Sequence, residues 1–520
     1  MIRKKTLTIL AVLLCAVAVQ AEVTLPAILG SNMVLQRGTP ARLWGWAAPG
    51  ETVTVTAAEQ NKTVTADATG AWRVTLDPLP EGKPLTIVFK ASNTITLKNV
   101  LLGEVWICSG QSNMAMSLRN TAEAKTDIPA ADHPEIRLFR VRRTVKHKPE
   151  KDCRGSWTPC TPESAATFSA AAYYFGRQIH LTQKVPVGLV QSAVGGTPAE
   201  AWTPRGVLAG DETLAPMLEE WRKKAEKWDP EKAKADYEKR LAKWKEKVAA
   251  AKEAGKKRPR KPRKSIAPLK HARHPAVLYN GMIAPLTPLR IRGAIWYQGE
   301  ANGSRGVEYR TLFPAMIRAW REAWDQGDFP FLFVQLPNFN KPTAKPGPSR
   351  WAELREAQLR TLALPHTGMA VTIDIGMADN IHPKNKKDVG TRLALAARQT
   401  VYGETIVGRS PRYESMQVEG NAIRIRFRNT GDGLVAGDGQ PLTQFAIAGE
   451  DRKFVWAKAE IDGDTVVVSN EKIEKPVAVR YAWAQNPEGC NLRNSAGLPA
   501  SPFRTDDWPV GAGKKKAAKP

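Results

Sequence analysis

Four short segments of this 520-residue chain carry residues able to perform nucleophilic chemistry. Ser112 follows Glu104-Val105-Trp106-Ile107-Cys108, a short apolar run that reads as a strand, and is flanked by Gly110, Gln111 and Asn113. A serine hydroxyl is a weak nucleophile until a neighbouring base takes its proton. Of the seven histidines, only His382 has a carboxylate, Asp379, three positions earlier. Asp379 can hold the imidazole through Nδ1–H and leave Nε2 to accept the serine proton. Gly195-Gly196-Thr197-Pro198 offers backbone N–H groups that a bound oxygen can approach without a side chain in the way. Trp296-Tyr297-Gln298-Gly299-Glu300 sets an amide and a carboxylate at the end of another apolar run. Together these residues point to acyl transfer by a base-activated serine, with main-chain amides receiving the oxyanion. Each segment alone has a plainer reading: Ser112 as a helix cap, the glycine pair as a turn, Gln298 and Glu300 as core hydrogen-bond partners. Their common position after strands favours one shared site.

The elements that must position them are legible as periodicity. Continuous apolar runs at 104–108, 187–190, 293–297, 331–334 and 369–373 alternate with helical stretches at 169–182 and 312–324, the latter with Pro314 in its first turn. Buried strands alternating with helices predict a parallel sheet covered on both faces, with its crevice beyond the carboxyl ends of the strands. Before this region, residues 22–100 alternate in short β-like runs such as Val53-Thr54-Val55-Thr56-Ala57, punctuated by Gly and Pro. Residues 402–508 return to that pattern. The expected organisation is therefore an α/β domain over 101–401 between two β-sandwich elements.

A net charge of +26 suggests a nucleic-acid binder until the charge is located. Residues 222–273 hold 21 Lys/Arg against seven Asp/Glu, the tail at 513–520 adds +4 and Arg3-Lys4-Lys5 adds +3, which leaves only +5 for everything else. An acidic partner would meet one insertion, residues 216–273, rather than the body. Leu218, Trp221, Trp228, Leu241 and Trp244 follow a heptad-like spacing that predicts an antiparallel helical hairpin. The run Lys256 to Lys264 would be its solvated loop, able to meet an acidic polysaccharide; a purely solubilising surface is the competing reading.

Residues 1–21 read as a secretory signal: a charged start, an apolar run from Leu7 to Val19 too short to span a membrane, and small residues before a cleavage site near Ala21. That places the mature protein in the periplasm or outside the cell, with no membrane span. The stretch 509–520 reads as a basic disordered tail. In such a compartment a Cys153–Cys160 bridge and two separate buried thiols are both open. Neither CxxC nor HExxH spacing occurs, which leaves a zinc mechanism no foothold in local motifs, and acyl transfer through a serine needs no metal or organic cofactor. Sixteen tryptophans serve either flat sugar rings or large cores.

The combined motifs resemble those of the bacterial sialate O-acetylesterases, which are SGNH hydrolases. The likeness is carried by Ser109-Gly110-Gln111-Ser112-Asn113-Met114, Gly195-Gly196-Thr197-Pro198-Ala199-Glu200-Ala201-Trp202, Trp296-Tyr297-Gln298-Gly299-Glu300-Ala301-Asn302 and Asp379-x-x-His382, and spans roughly residues 23–508 apart from the insertion. The resemblance implies a flavodoxin-like hydrolase domain, with Ser112 as nucleophile, His382 as general base and acid, and Asp379 as its orienting carboxylate. It implies an oxyanion hole from the N–H groups of Ser112 and of Gly195 or Gly196. The founding pattern has an asparagine in its third block; here Gln298 or Asn302 would have to serve. Gln111, Asn113, Glu300 and Asn302 are the substrate-binding candidates, and an acetylated sugar or glycan is the implied substrate. Acetylxylan or another acetylated polysaccharide is the alternative substrate. A non-catalytic carbohydrate-binding protein is the alternative of another class, against which Ser112, Asp379 and His382 together argue. No specific nucleic-acid partner is expected, and the sequence leaves the oligomeric state open.

Overall fold

The apolar run before Ser112 is the end of a 17-residue strand, Thr94–Gly110, in a computed structural model that describes residues 22–509. The leader expected over 1–21 and the tail beyond Pro509 lie outside the described residues. The first half of this strand pairs with Leu85–Lys90 and Val34–Gln36 of the N-terminal β region. Its second half enters the central sheet, so the boundary expected at residue 100 falls inside one strand. Across that junction Glu104, wholly buried, accepts hydrogen bonds from Arg37 Nε at 2.7 Å and from Arg292. Burial alone would raise its carboxyl; the two guanidiniums outweigh this and hold it below the ordinary carboxylate range.

The central sheet runs Thr367–Ala370, Phe331–Val334, Gly293–Tyr297, Thr94–Gly110, Val187–Ala193, His133–Arg140 and, antiparallel at the edge, Trp157–Cys160. Without the last two, the strands taken in chain order lie as 2-1-3-4-5, the flavodoxin-like arrangement whose binding crevice opens where the order reverses. The strands read as continuous apolar runs because both faces are covered. Ala170–Gln183 and Lys387–Thr400 pack on one side, while Gly306–Trp324 and Arg350–Arg360 pack on the other. Gly306–Trp324 begins well before the expected residue 312, so Pro314 sits inside the helix rather than in its first turn. Trp106, Trp202, Trp296, Trp320 and Trp324 are fully buried, which decides for the core reading of most large aromatics.

The C-terminal region holds two four-stranded sheets, one built on Arg412–Glu419 and Ala422–Arg428, the other on Phe445–Ala448 and Ala478–Tyr481. It docks on the central domain through buried polar ties. Arg355 donates to the carbonyls of Ala484 and Gln485, and Arg504 pairs with Glu356.

The structure decides between the two open readings of the cysteines and corrects the packing expected of the insertion. Cys153 and Cys160 are free thiols. Cys153 packs in the core on one side of the sheet and Cys160 in the core on the other, and burial pushes both thiols up to about 12. The insertion contains two helices, Ala215–Glu226 and Pro230–Glu253, but the heptad stripe is not their seam. Trp221 packs against His271 and His274. The second helix buries no residue; its aromatics are covered by the returning basic segment instead. Trp244 donates to Pro259 O at 2.9 Å beneath the Arg258 guanidinium, and Lys264 lies over Tyr237. Among the described residues no helix is long and apolar enough to cross a membrane.

Candidate active site

Register brings the first three segments together. Gly110 pairs with Ala193 on one side and with Tyr297 on the other, so three parallel strands end level. The next residues of each, Gln111-Ser112, Val194-Gly195 and Gln298, leave the sheet at one edge. The turn after Gly110 needs glycine: its φ is +139°, and a Cβ there would stand 2.2 Å from Tyr297 O. Ser112 opens the short helix Ser112–Ala115, and a helix's first N–H has no intrahelical acceptor.

The loop after Thr367–Ala370 carries the fourth segment back across this edge. His382 Nε2 lies 2.8 Å from Ser112 Oγ, a hydrogen bond between residues 270 positions apart in the chain. Partial burial, reinforced by the Lys386 cation, lowers the imidazole below its ordinary pKa and favours the neutral form a base needs. Asp379 is exposed, and no hydrogen bond among the described residues joins it to His382. The structure therefore brings the serine and histidine into contact and leaves the aspartate apart from them.

Gly195 and Gly196 are exposed beside the serine; a Cβ on Gly195 would lie 3.4 Å from Ser112 Cβ. Their turn is fixed from behind by Val194 N–H donating to Gly110 O and Thr197 Oγ1 donating to Val194 O.

Gln298 is corrected as an oxyanion donor. It is fully buried, its Nε2 donates to Thr197 O and to Asn302 Oδ1, and its Oε1 accepts from Tyr309. Asn302 is likewise buried: Oδ1 also accepts from Ala199 N–H, and Nδ2 donates to Glu200. These two amides tie the second segment to the third. Gln111, 3% exposed, accepts from Ala301 N–H and has the same bracing role. Asn113 is fully buried and donates to Glu300 Oε1 and to Ile381 O. Of the four substrate-binding candidates, Glu300 lines a cleft of about 540 Å³ that also meets Lys345, Arg350 and Trp483. Burial raises the Glu300 carboxyl.

Sequence reasoning missed Glu200 and Lys386. Glu200 is buried, accepts from Asn302 and pairs with Arg305 at 2.6 Å. Lys386 is buried four residues after His382. One lysine among 77 basic residues carried no signal.

The carbohydrate esterase, sialic acid-specific acetylesterase family matches residues 102–248 and 269–399, more than half of the chain, with the gap falling in the basic insertion. Sialate O-acetylesterase of Rattus norvegicus is 29% identical over 531 residues, covering 91% of this chain and 92% of the relative. The Homo sapiens enzyme is 28% identical over 523 residues, covering 91% of both. A crystal structure of a carbohydrate acetylesterase from Xanthomonas citri superposes with a TM-score of 0.80 at 36% identity, covering 94% of this chain and all of that one. Fold, site and likeness define a carboxylic ester hydrolase. The chain belongs to the sialic acid-specific acetylesterase family of carbohydrate esterases.

Proposed function

We propose that the protein is an exported esterase that removes O-acetyl groups from sialic acid or a related acetylated sugar by a Ser112–His382–Asp379 mechanism. The observation that carries this reading is the 2.8 Å contact between Ser112 Oγ and His382 Nε2 at the edge where three strands end level. Ser112 Oγ attacks the acetyl carbonyl while His382 Nε2 takes its proton. The tetrahedral oxyanion is received by the N–H groups of Ser112 and of Gly195 or Gly196, each worth roughly 100- to 1000-fold in rate. His382 then gives its proton to the leaving sugar hydroxyl, and Asp379 steadies the charged imidazole. Water, deprotonated by His382, releases acetate from the acyl-serine. The cleft that shares Glu300 with this cluster has room for the sugar ring, and its Lys345 and Arg350 favour an acidic one.

Acetate release across a panel of acetylated sugars tests the substrate. O-acetylated sialic acid is expected to be turned over with kcat/KM about tenfold or more above acetylated xylan, a difference of about 1.4 kcal/mol in transition-state binding. The reverse order would assign the enzyme to polysaccharide deacetylation.

The insertion serves, in this reading, as an acidic-polysaccharide contact apart from the chemistry. Replacing residues 238–263 by a short glycine-serine turn joins Tyr237 and Lys264, which already touch. Hydrolysis of a small aryl acetate should be unchanged. Retention on an acidic polysaccharide should fall, most strongly at low salt, because exposed charges are screened over about 8 Å at physiological ionic strength. Lost aryl-acetate turnover in a folded variant would instead make the insertion part of the active site.

A further inference from the structure

The histidine loop is clamped on both sides of its imidazole. The carbonyl before His382, that of Ile381, accepts from Asn113 Nδ2 at 3.0 Å. The carbonyl after it, that of Pro383, accepts from Lys386 Nζ. Both clamping side chains are fully buried. Asn113 is the neighbour of Ser112 and also holds Glu300, so the first clamp ties the histidine loop to the nucleophile's own turn. The second clamp is a charged amine. Its nitrogen stands 5.5 Å from the centre of the Tyr297 ring, and Glu300 is the carboxylate whose field acts on it.

A buried ammonium is a costly way to fill space, since an apolar side chain of that length would need no desolvation. Here it is aimed at the backbone of the residue next to the proposed base. We propose that Lys386 is a positioning residue for the esterase reaction, fixing the Pro383 carbonyl and, through it, the His382 imidazole against Ser112. This rests on the reading of Ser112 and His382 given above.

A second consequence follows from charge. The Lys386 amine faces the His382 imidazole, the Tyr297 ring and the Glu300 carboxyl just beyond the Gly293–Tyr297 strand, and the imidazole in turn meets the Ser112 hydroxyl; Asp379 and Lys384 on the same loop are exposed. Burial depresses the Lys386 amine to about 7, with Glu300 opposing the shift. The remaining positive charge disfavours a second one on His382, which keeps the imidazole neutral to lower pH. Loss of the cation raises the His382 pKa, so the imidazole is protonated at a higher pH and the acid limb of activity moves upward.

Two variants separate holding from charge. Lys386→Gln removes the charge and keeps a donor for Pro383 O, whereas Lys386→Met removes both. Each is measured for kcat and KM on an aryl acetate from acid to alkaline pH, with melting temperature as the check on folding. Both should move the acid limb of kcat/KM up by about half a pH unit or more. The Met variant should lose about tenfold in kcat with KM little changed, as expected for a displaced base. The Gln variant should keep kcat within about threefold. Lys384→Met, an exposed lysine on the same loop, should match the parent throughout. Folded Lys386 variants with the parental acid limb would overturn the proposal, and so would an equal shift in Lys384→Met. If the Met variant fails to fold, the acid limb of Lys386→Gln decides alone. Failure of the underlying reading shows separately, as an active Ser112→Ala protein.

Discussion

Ser112→Ala is expected to lower kcat on an aryl acetate by about 10⁵-fold or more, because the nucleophile and its base act as one unit and losing either removes nearly the whole effect. The melting temperature should hardly change. Among the described residues the one side-chain hydrogen bond of Ser112 is that to His382, on a partly exposed loop, and no core packing is lost. A serine-directed fluorophosphonate should label the parent at Ser112 and leave the variant unmodified. Two serines at the ends of the site strands, Ser109 and Ser192, are removed as rivals by the structure. Ser109 is wholly buried. Ser192 is also buried and donates to Met282 O at 3.0 Å. Labelling at either, or an active Ser112→Ala protein, would move the nucleophile elsewhere.

How much of this was legible before the structure depends on the range of the interaction. The strands ending at Gly110, Ala193 and Tyr297 were readable because burial on both faces writes them as unbroken apolar runs. The residues just after them stood out because polar side chains there break the run. What the sequence could not show is where polar side chains spend their hydrogen bonds. Gln298 and Asn302 have the right types and positions for an oxyanion hole, yet each is consumed by partners about 100 positions away in the second segment. Lys386 was hidden for the opposite reason: a basic residue in a basic chain looks like surface until burial is known.

Spacing misled on the insertion and could not decide the cysteines. A heptad stripe fixes which residues share a helix face but not what covers that face. In this chain the cover is an extended Arg/Lys/Pro segment whose long side chains lie over Trp244 and Tyr237. Likewise, six residues between Cys153 and Cys160 permit a bridge. The edge strand Trp157–Cys160 instead delivers Cys160 to the opposite side of the sheet from Cys153.

Asp379→Asn is the sharper test of mechanism, because sequence and geometry weigh differently on it. The Asp-x-x-His spacing marks Asp379 as the orienting carboxylate, while the side chain stands exposed and unbonded to His382. The imidazole is already clamped through Ile381 O and Pro383 O, so its position does not need the carboxylate. Its charge does. When His382 takes the serine proton, an imidazolium forms beside the Lys386 cation, and a carboxylate at Nδ1 is the group able to stabilise it. Catalytic hydrogen bonds that are long in a free enzyme commonly tighten once substrate is bound. The expected result is a fall in kcat of about 10²- to 10³-fold with KM within about threefold, since an amide keeps the shape but loses the charge. Stability should change by no more than about 0.5 kcal/mol, as for other exposed substitutions. Fluorophosphonate labelling of Ser112 should slow in parallel, because that step uses the same proton transfer. An Asp379→Asn enzyme with parental kcat would mean that the two backbone clamps and the Ser112 contact suffice, and the catalytic unit would then be a serine–histidine dyad.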